Sequence, residues 1–149
     1  MNGNKQPLSV LVVIHTRALD VLLLERAAHP GFWQSVTGSR EGNEPLPTTA
    51  RREVEEETGI PPDSGCLDDW RIANTYTIFP AWRHRYPDGV RENVEHVFGL
   101  CLPARCDITP AADEHRDWQW LPWREAAERC FSWSNRDAIL LLPRAIART

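Results

Sequence analysis

Hydrophobic positions along the chain fall into short runs separated by turn residues. LSVLVVIH at 8–15 and DVLLLER at 20–26 are leucine-rich or β-branched runs that predict two central strands, the Val10 to Ile14 stretch reading as buried. HPGFWQSVTGS at 29–39 begins with turn chemistry and continues as a short extended piece. WRIANTYTIF at 70–79 and NVEHVFGLCL at 93–102 predict two longer strands. The segment between them, PAWRHRYPDGVRE, reads as a loop turning at Pro87-Asp88-Gly89. RDWQWLP at 116–122 alternates Trp118 and Trp120 on one face, as a strand does. PWREAAERC at 122–130 carries proline in a first-turn position and predicts a helix. SNRDAILLLPRAIA at 134–147 opens with a Ser/Asn cap and predicts an amphipathic helix that Pro143 kinks or ends. Strands and helices interleave irregularly. The pattern predicts an α/β fold with a mixed sheet between helices on both faces, not a doubly wound parallel sheet.

Composition narrows the class. A chain of 149 residues with 42% apolar content suits one domain, 1–149, with a single core. The formal net charge of -4 argues against a general nucleic-acid binder, which carries a basic patch, but leaves a small anionic substrate open. The four cysteines form no C-x-x-C pair and read as reduced structural thiols of a cytosolic protein. The apolar run near the N-terminus is too short for a membrane span and lacks a signal-peptide layout. The expectation is a cytoplasmic protein with no membrane partner, its oligomeric state left open, a monomer included.

One segment resists an ordinary reading. Pro45 to Thr58 predicts a helix, with Pro45 and Pro47 in its first turn and Gly59 as the natural C′ residue. At about 100° per residue, Glu53, Glu56 and Glu57 share one face, while Ala50 and Val54 mark the stripe that packs on the sheet. Like charges four apart cost roughly 0.2–0.5 kcal/mol per pair. A Glu-rich face alone reads as solvated acidic surface. Here a loop carrying Gly38 and Gly42 leads into the helix, Glu44 closes it, and Arg52 stands beside Glu53. Carboxylates crowded behind a glycine loop suit a hard divalent cation such as Mg²⁺, which bridges protein oxygens to substrate phosphates.

The spacing is Gly38, five residues, Glu44, seven residues, Arg52-Glu53-Val54, one residue, Glu56-Glu57, one residue, Gly59-Ile60. This resembles the Nudix box, Gx5Ex7REUxEExGU with U aliphatic, over residues 38–60 and at every defined position. One departure is Asn43, where many members have glycine; Asn tolerates left-handed backbone, so the loop is expected to survive. The resemblance implies an α/β/α sandwich, a divalent metal (Mg²⁺, or Mn²⁺ in its place), and hydrolysis of a nucleoside diphosphate linked to another group. Glu53 and Glu57 match the family's principal metal ligands, and Glu56, also a catalytic glutamate of the box, is an additional ligand in many members.

Outside the box, LSVLVVI, FWQSVTGS, RHRYPDGVREN, EHRDWQWL and SWSNRDAI resemble the dihydroneopterin triphosphate pyrophosphohydrolases of bacterial folate synthesis. By that resemblance Glu114 is a third metal ligand or an assisting base, and Lys5, Arg26, Thr37 and Ser132 touch a small-molecule triphosphate substrate. Tyr76, Thr77, Ile78 and Phe79 offer an aromatic strand face for a pterin ring, or plain core. Arg83, His84 and Arg85 form a small basic patch, read as a solvated loop in preference to a holder of the phosphate tail. Two alternatives remain beside this reading. One is a Nudix pyrophosphatase acting on oxidised or ordinary nucleoside triphosphates. The other is a Nudix domain that binds nucleotide without catalysis.

Overall fold

In a computed structural model, which describes residues 4–147, a seven-stranded mixed sheet is covered by helices on both faces. The strands are β1 (Leu8–Thr16), β2 (Asp20–Arg26), β3 (Trp33–Gln34), β4 (Val36–Ser39), β5 (Cys66–Thr77), β6 (Glu92–Leu102) and β7 (His115–Pro122). The helices are α1 (Leu46–Thr58), α2 (Trp123–Arg129), α3 (Trp133–Leu140) and α4 (Leu142–Ala147). β1 runs parallel to β6 along its whole length. On its other side β1 pairs antiparallel with β4 through Ser9–Val12 and meets β2 only at His15. β1 therefore has neighbours on both edges and helices over both faces, which explains its unbroken apolar run.

Alternation along β1 sorts the core into two layers. Val10, Val12 and Ile14 join Leu22, Leu24, Phe98 and the Ala50–Val54 stripe of α1. Leu11 and Val13 join Val21, Leu23, Val97 and small residues of α2, α3 and α4. Trp118 and Trp120 pack at the margin of the first layer, as their shared strand face predicts. The four cysteines are free. No helix among the described residues is long and apolar enough to cross a membrane.

The structure departs from the sequence-based expectation at four places. β5 starts at Cys66, four residues early, because a bulge between Asp69 and Ile72 interrupts its alternation. Arg71 takes φ 58° there, its N–H bonded to Asp69 at 2.8 Å. The expected loop after β5 contains a 3₁₀ helix, Pro80–Arg85. The C-terminal helix is divided at Leu141, ahead of Pro143, and its cap is Ser132, whose hydroxyl accepts from the Asn135 N–H at 3.2 Å. In the loop before α1 the left-handed residue is Gly42, at φ 55°, so Asn43 is not asked to adopt that conformation.

α1 is fixed to the sheet by its own charged residues. Arg52 grips Glu44 with two guanidinium nitrogens, Nη2 at 2.6 Å and Nε at 3.2 Å. The same Nη2 donates to the Ser39 carbonyl at 3.0 Å, tying helix to β4. Glu44 also accepts from the Glu41 N–H at 3.0 Å and the Thr49 hydroxyl at 2.9 Å. Arg52 and these donors hold the Glu44 carboxyl down, from its ordinary 4.5 to about 2.

Glu44→Gln is expected to cost about 2 kcal/mol of stability at neutral pH, the worth of a charged hydrogen-bonded pair. Because the folded value lies below the unfolded one, this contribution is complete above pH 4.5 and is lost as pH falls toward 2. Urea midpoints of the two proteins should therefore converge across that window, and a constant gap would refute the charge-based account. Gly99 underlies Trp70, where a Cβ would come 2.6 Å from the indole nitrogen. Gly99→Ala should lower the urea midpoint by an amount worth about 1–3 kcal/mol; an unchanged midpoint would mean that this contact is not limiting.

Candidate active site

α1 lays Glu53 directly on β4. A Cβ at Gly38 would overlap the Glu53 carboxylate, so only glycine permits this approach. Arg52 Nη1 holds Glu53 Oε1 at 2.9 Å. One turn later Glu57 is 2% exposed, and neither of its carboxylate oxygens has a hydrogen-bond partner. Burial pushes the Glu57 carboxyl well above the usual carboxylate range, and the charge of Glu53 adds to the shift. Burial also raises Glu53.

A second element completes the group. Glu114 and His115, at the start of β7, bring ligand atoms to Glu57, all three lying within 4.8 Å of one another. The bulge where β2 meets β7, between Glu25 and Arg26, lies at this point, and the Ala27 N–H donates to the Glu114 carbonyl at 2.9 Å. His115 Nε2 is 3.7 Å from Glu57 Oε1. Burial, reinforced by Arg26, lowers His115 to about 4, so its imidazole is neutral at neutral pH. His115 therefore does not neutralise Glu57.

These residues border a cavity of about 600 Å³ that Arg40 and a cluster of three further cations, Lys5, Arg26 and Arg85, also line. Burial lowers Lys5, and the positive charge of Arg85 lowers it further; Arg26 shifts the same way for the same reasons. Three cations crowded out of water beside a carboxylate group are suited to an anion that meets both. A second cavity of about 210 Å³ adjoins it, sharing Lys5, Arg26, Gln34, Thr37 and Arg85. Its walls are aromatic, with Phe79 and Trp82 rings 4.9 Å apart and the Arg26 guanidinium 4.9 Å over Trp82.

The expected site residues are brought together here. Glu53, Glu57 and Glu114 line the first cavity. Lys5, Arg26 and Thr37 line both, and Tyr76, Thr77, Ile78, Phe79 and Ser132 line the second. Glu56 stands apart: its side chain is 55% exposed and faces Arg52 at 3.4 Å. The basic patch divides, since Arg85 enters both cavities while His84 lies by the separate turn at Pro87. His115, Gln34 and Trp82 were not singled out from the sequence. A histidine directly after Glu114 was the available signal for the first; the other two carry none.

The donor set fits a divalent cation. A buried carboxylate with both oxygens unpartnered is costly unless a positive charge meets it. Glu53, Glu57 and Glu114 would supply oxygen ligands, and neutral His115 a nitrogen.

The NUDIX domain family model matches residues 5–142. The dihydroneopterin triphosphate diphosphatase of Escherichia coli (strain K12) is 44% identical over 138 residues, covering 91% of both chains. The Haemophilus influenzae enzyme of the same name is 39% identical over 88% of this chain and 84% of its own. The solved structure of the E. coli dihydroneopterin triphosphate pyrophosphohydrolase superposes with a TM-score of 0.85 at 42% identity, covering 93% of this chain and 95% of that one. With a box complete at every defined position and folded around a carboxylate group, the chain belongs to the Nudix family.

Proposed function

We propose that this chain, acting as one Nudix hydrolase domain over 1–149, hydrolyses dihydroneopterin triphosphate to dihydroneopterin monophosphate and pyrophosphate with Mg²⁺, or with Mn²⁺ in its place. The observation that carries the proposal is the pairing of two joined cavities. One combines the buried Glu57 and its neighbours Glu53 and Glu114 with Lys5, Arg26 and Arg85; the other is walled by aromatic rings. A triphosphate attached to a planar heterocycle matches both. The names of relatives 44% and 39% identical support that choice of ring.

When bound, the divalent cation neutralises phosphate oxygens and makes water a competent nucleophile near neutral pH. Glu53, Glu57 and Glu114 would hold the cation, and a carboxylate of this set would accept the proton of the attacking water. Lys5, Arg26 and Arg85 fix the triphosphate, with Thr37 at the junction of the cavities. Water oxygen attacks the α-phosphorus, the bond to the bridging α–β oxygen breaks, and pyrophosphate leaves. No covalent intermediate is required; positioning and charge neutralisation account for the rate. Glu56 steadies Arg52 from the rim.

The assay is hydrolysis of dihydroneopterin triphosphate with Mg²⁺ beside a panel of nucleoside triphosphates, scoring pyrophosphate against single phosphate. Preferred pterin cleavage with pyrophosphate release is expected; preference for a nucleotide would discard the substrate and keep the chemistry. Glu57→Gln should lower kcat by at least about 100-fold. In thermal unfolding, Mg²⁺ should raise the Tm of the parent protein and leave that of Glu57→Gln unmoved. Without metal the variant should be the more stable by about 1 kcal/mol, because a repelled, desolvated carboxylate has been removed. An equal Mg²⁺ response in both proteins would take Glu57 out of the metal site.

A further inference from the structure

One cation on the wall of the first cavity has no part in the chemistry above. Arg40 directly follows β4 and lies in the loop before α1, at a position that the box leaves undefined. Its N–H donates to the Leu8 carbonyl at 2.9 Å, which ties its backbone to the start of β1. Its Nε donates to Gln6 Oε1 at 2.9 Å, and Gln6 Nε2 donates to the Gly42 carbonyl at 2.9 Å. One amide therefore holds both the guanidinium and the loop, and Gln6, Arg40 and Gly42 all line the cavity. A guanidinium bonded through Nε alone keeps its Nη1 and Nη2 pair for a ligand, and that planar fork matches phosphate oxygens. Among the described residues no carboxylate lies within ion-pair distance of Arg40, and neither Nη nitrogen has a hydrogen-bond partner. Arg52 is the contrast, since Glu44, Glu53 and Glu56 already occupy it.

The order of groups along the joined cavities gives Arg40 its place on a substrate. Lys5, Arg26 and Arg85 line both cavities and so mark their junction. Among the described residues Arg40 is the arginine or lysine that lines the carboxylate cavity without lining the aromatic one. A ring seated in the second, aromatic cavity brings its nearest phosphate to the shared cations. The outer phosphates then extend among the carboxylates, where Arg40 supplies positive charge. Negative charge builds on the pyrophosphate as its bond to the α-phosphorus breaks, so a cation at that end favours departure.

We propose that Arg40, oriented by Gln6, binds the two outer phosphates of the substrate and holds the departing pyrophosphate. Arg40 touches the phosphates, and Gln6 is a positioning residue. This deepens the reading above and rests on it for the site of cleavage, not for the identity of the ring.

Product inhibition tests it, because the two products probe the two cavities separately. With Mg²⁺ and the preferred triphosphate, inhibition constants are measured for pyrophosphate and for the monophosphate product in the parent protein, Arg40→Ala, Arg40→Lys and Gln6→Ala. Arg40→Ala is expected to raise the pyrophosphate constant by about 10–100-fold and to leave the monophosphate constant within about twofold. Arg40→Lys should recover part of the loss, since the charge returns without the fork. Gln6→Ala should raise the pyrophosphate constant by less, and should add nothing in the Arg40→Ala background. Equal rises in both constants would mean a damaged loop and overturn the proposal. So would full additivity of the two alanine variants, or a parent protein that pyrophosphate does not inhibit, a result that does not depend on any variant folding. Preference for a nucleoside triphosphate would overturn the ring named above and leave the role of Arg40 in place. Release of single phosphate by the parent would overturn the cleavage site and this proposal together, whereas an unmoved pyrophosphate constant in an Arg40→Ala protein that still releases pyrophosphate would overturn this proposal alone.

Discussion

The contact on which the site depends is the seating of the Glu53 carboxylate against the bare Cα of Gly38. It brings α1 close enough to β4 for Arg52 to reach the Ser39 carbonyl, and Arg52 in turn holds Glu44, Glu53 and the entry loop. With the helix pinned at that height, Glu57 reaches the cavity wall but stays 2% exposed, its carboxylate oxygens without hydrogen-bond partners. Repulsion among carboxylates is thus maintained by geometry. One guanidinium offsets part of it at the rim, and the inner part is left for a cation. Fold and function oppose each other here, as they commonly do where a site is held in a costly arrangement.

The sheet supplies the rest by bringing distant segments to one edge. Lys5 lies just before β1, Arg26 ends β2, and Arg85 ends the 3₁₀ helix. The Lys5 N–H donates to the Arg85 carbonyl at 3.0 Å, so two of the three cations are tied together through backbone. Glu114 enters beside them because the bulged end of the β2–β7 ladder lies next to the buried end of α1. Carboxylates therefore come from α1 and from the sheet edge that also carries Arg26, and the space around them follows from sheet packing rather than from any one loop.

What the sequence disclosed follows the range of the interactions involved. The box was legible because Gly38, Glu44, Arg52, Glu53 and Glu57 act within one loop and one helix, where spacing is geometry. Central strands were legible because burial on both faces leaves an unbroken apolar run. Lys5, Arg26 and Ser132 came from resemblance alone; no local rule separates them from surface cations or an ordinary cap. The start of β5 was hidden by a bulge centred on Arg71, which breaks the period that marks a strand. Arg85 looked like one of three loop cations because its direction is set by a 3₁₀ turn with no strong signal. Arg40 stands at an undefined position of the box like any loop cation, and only the assembled cavity distinguishes it.

The double hydrogen bond between Ser35 and Asn135 spans 100 positions and joins the break between β3 and β4 to the helix α3, whose Asn135 lines the aromatic cavity. Its consequence concerns biosynthesis. A chain emerging from the ribosome exposes the complete box long before Glu114 and Asn135 are available. The carboxylate group around Glu57 and the floor of the aromatic cavity therefore both wait for the C-terminal third of the chain.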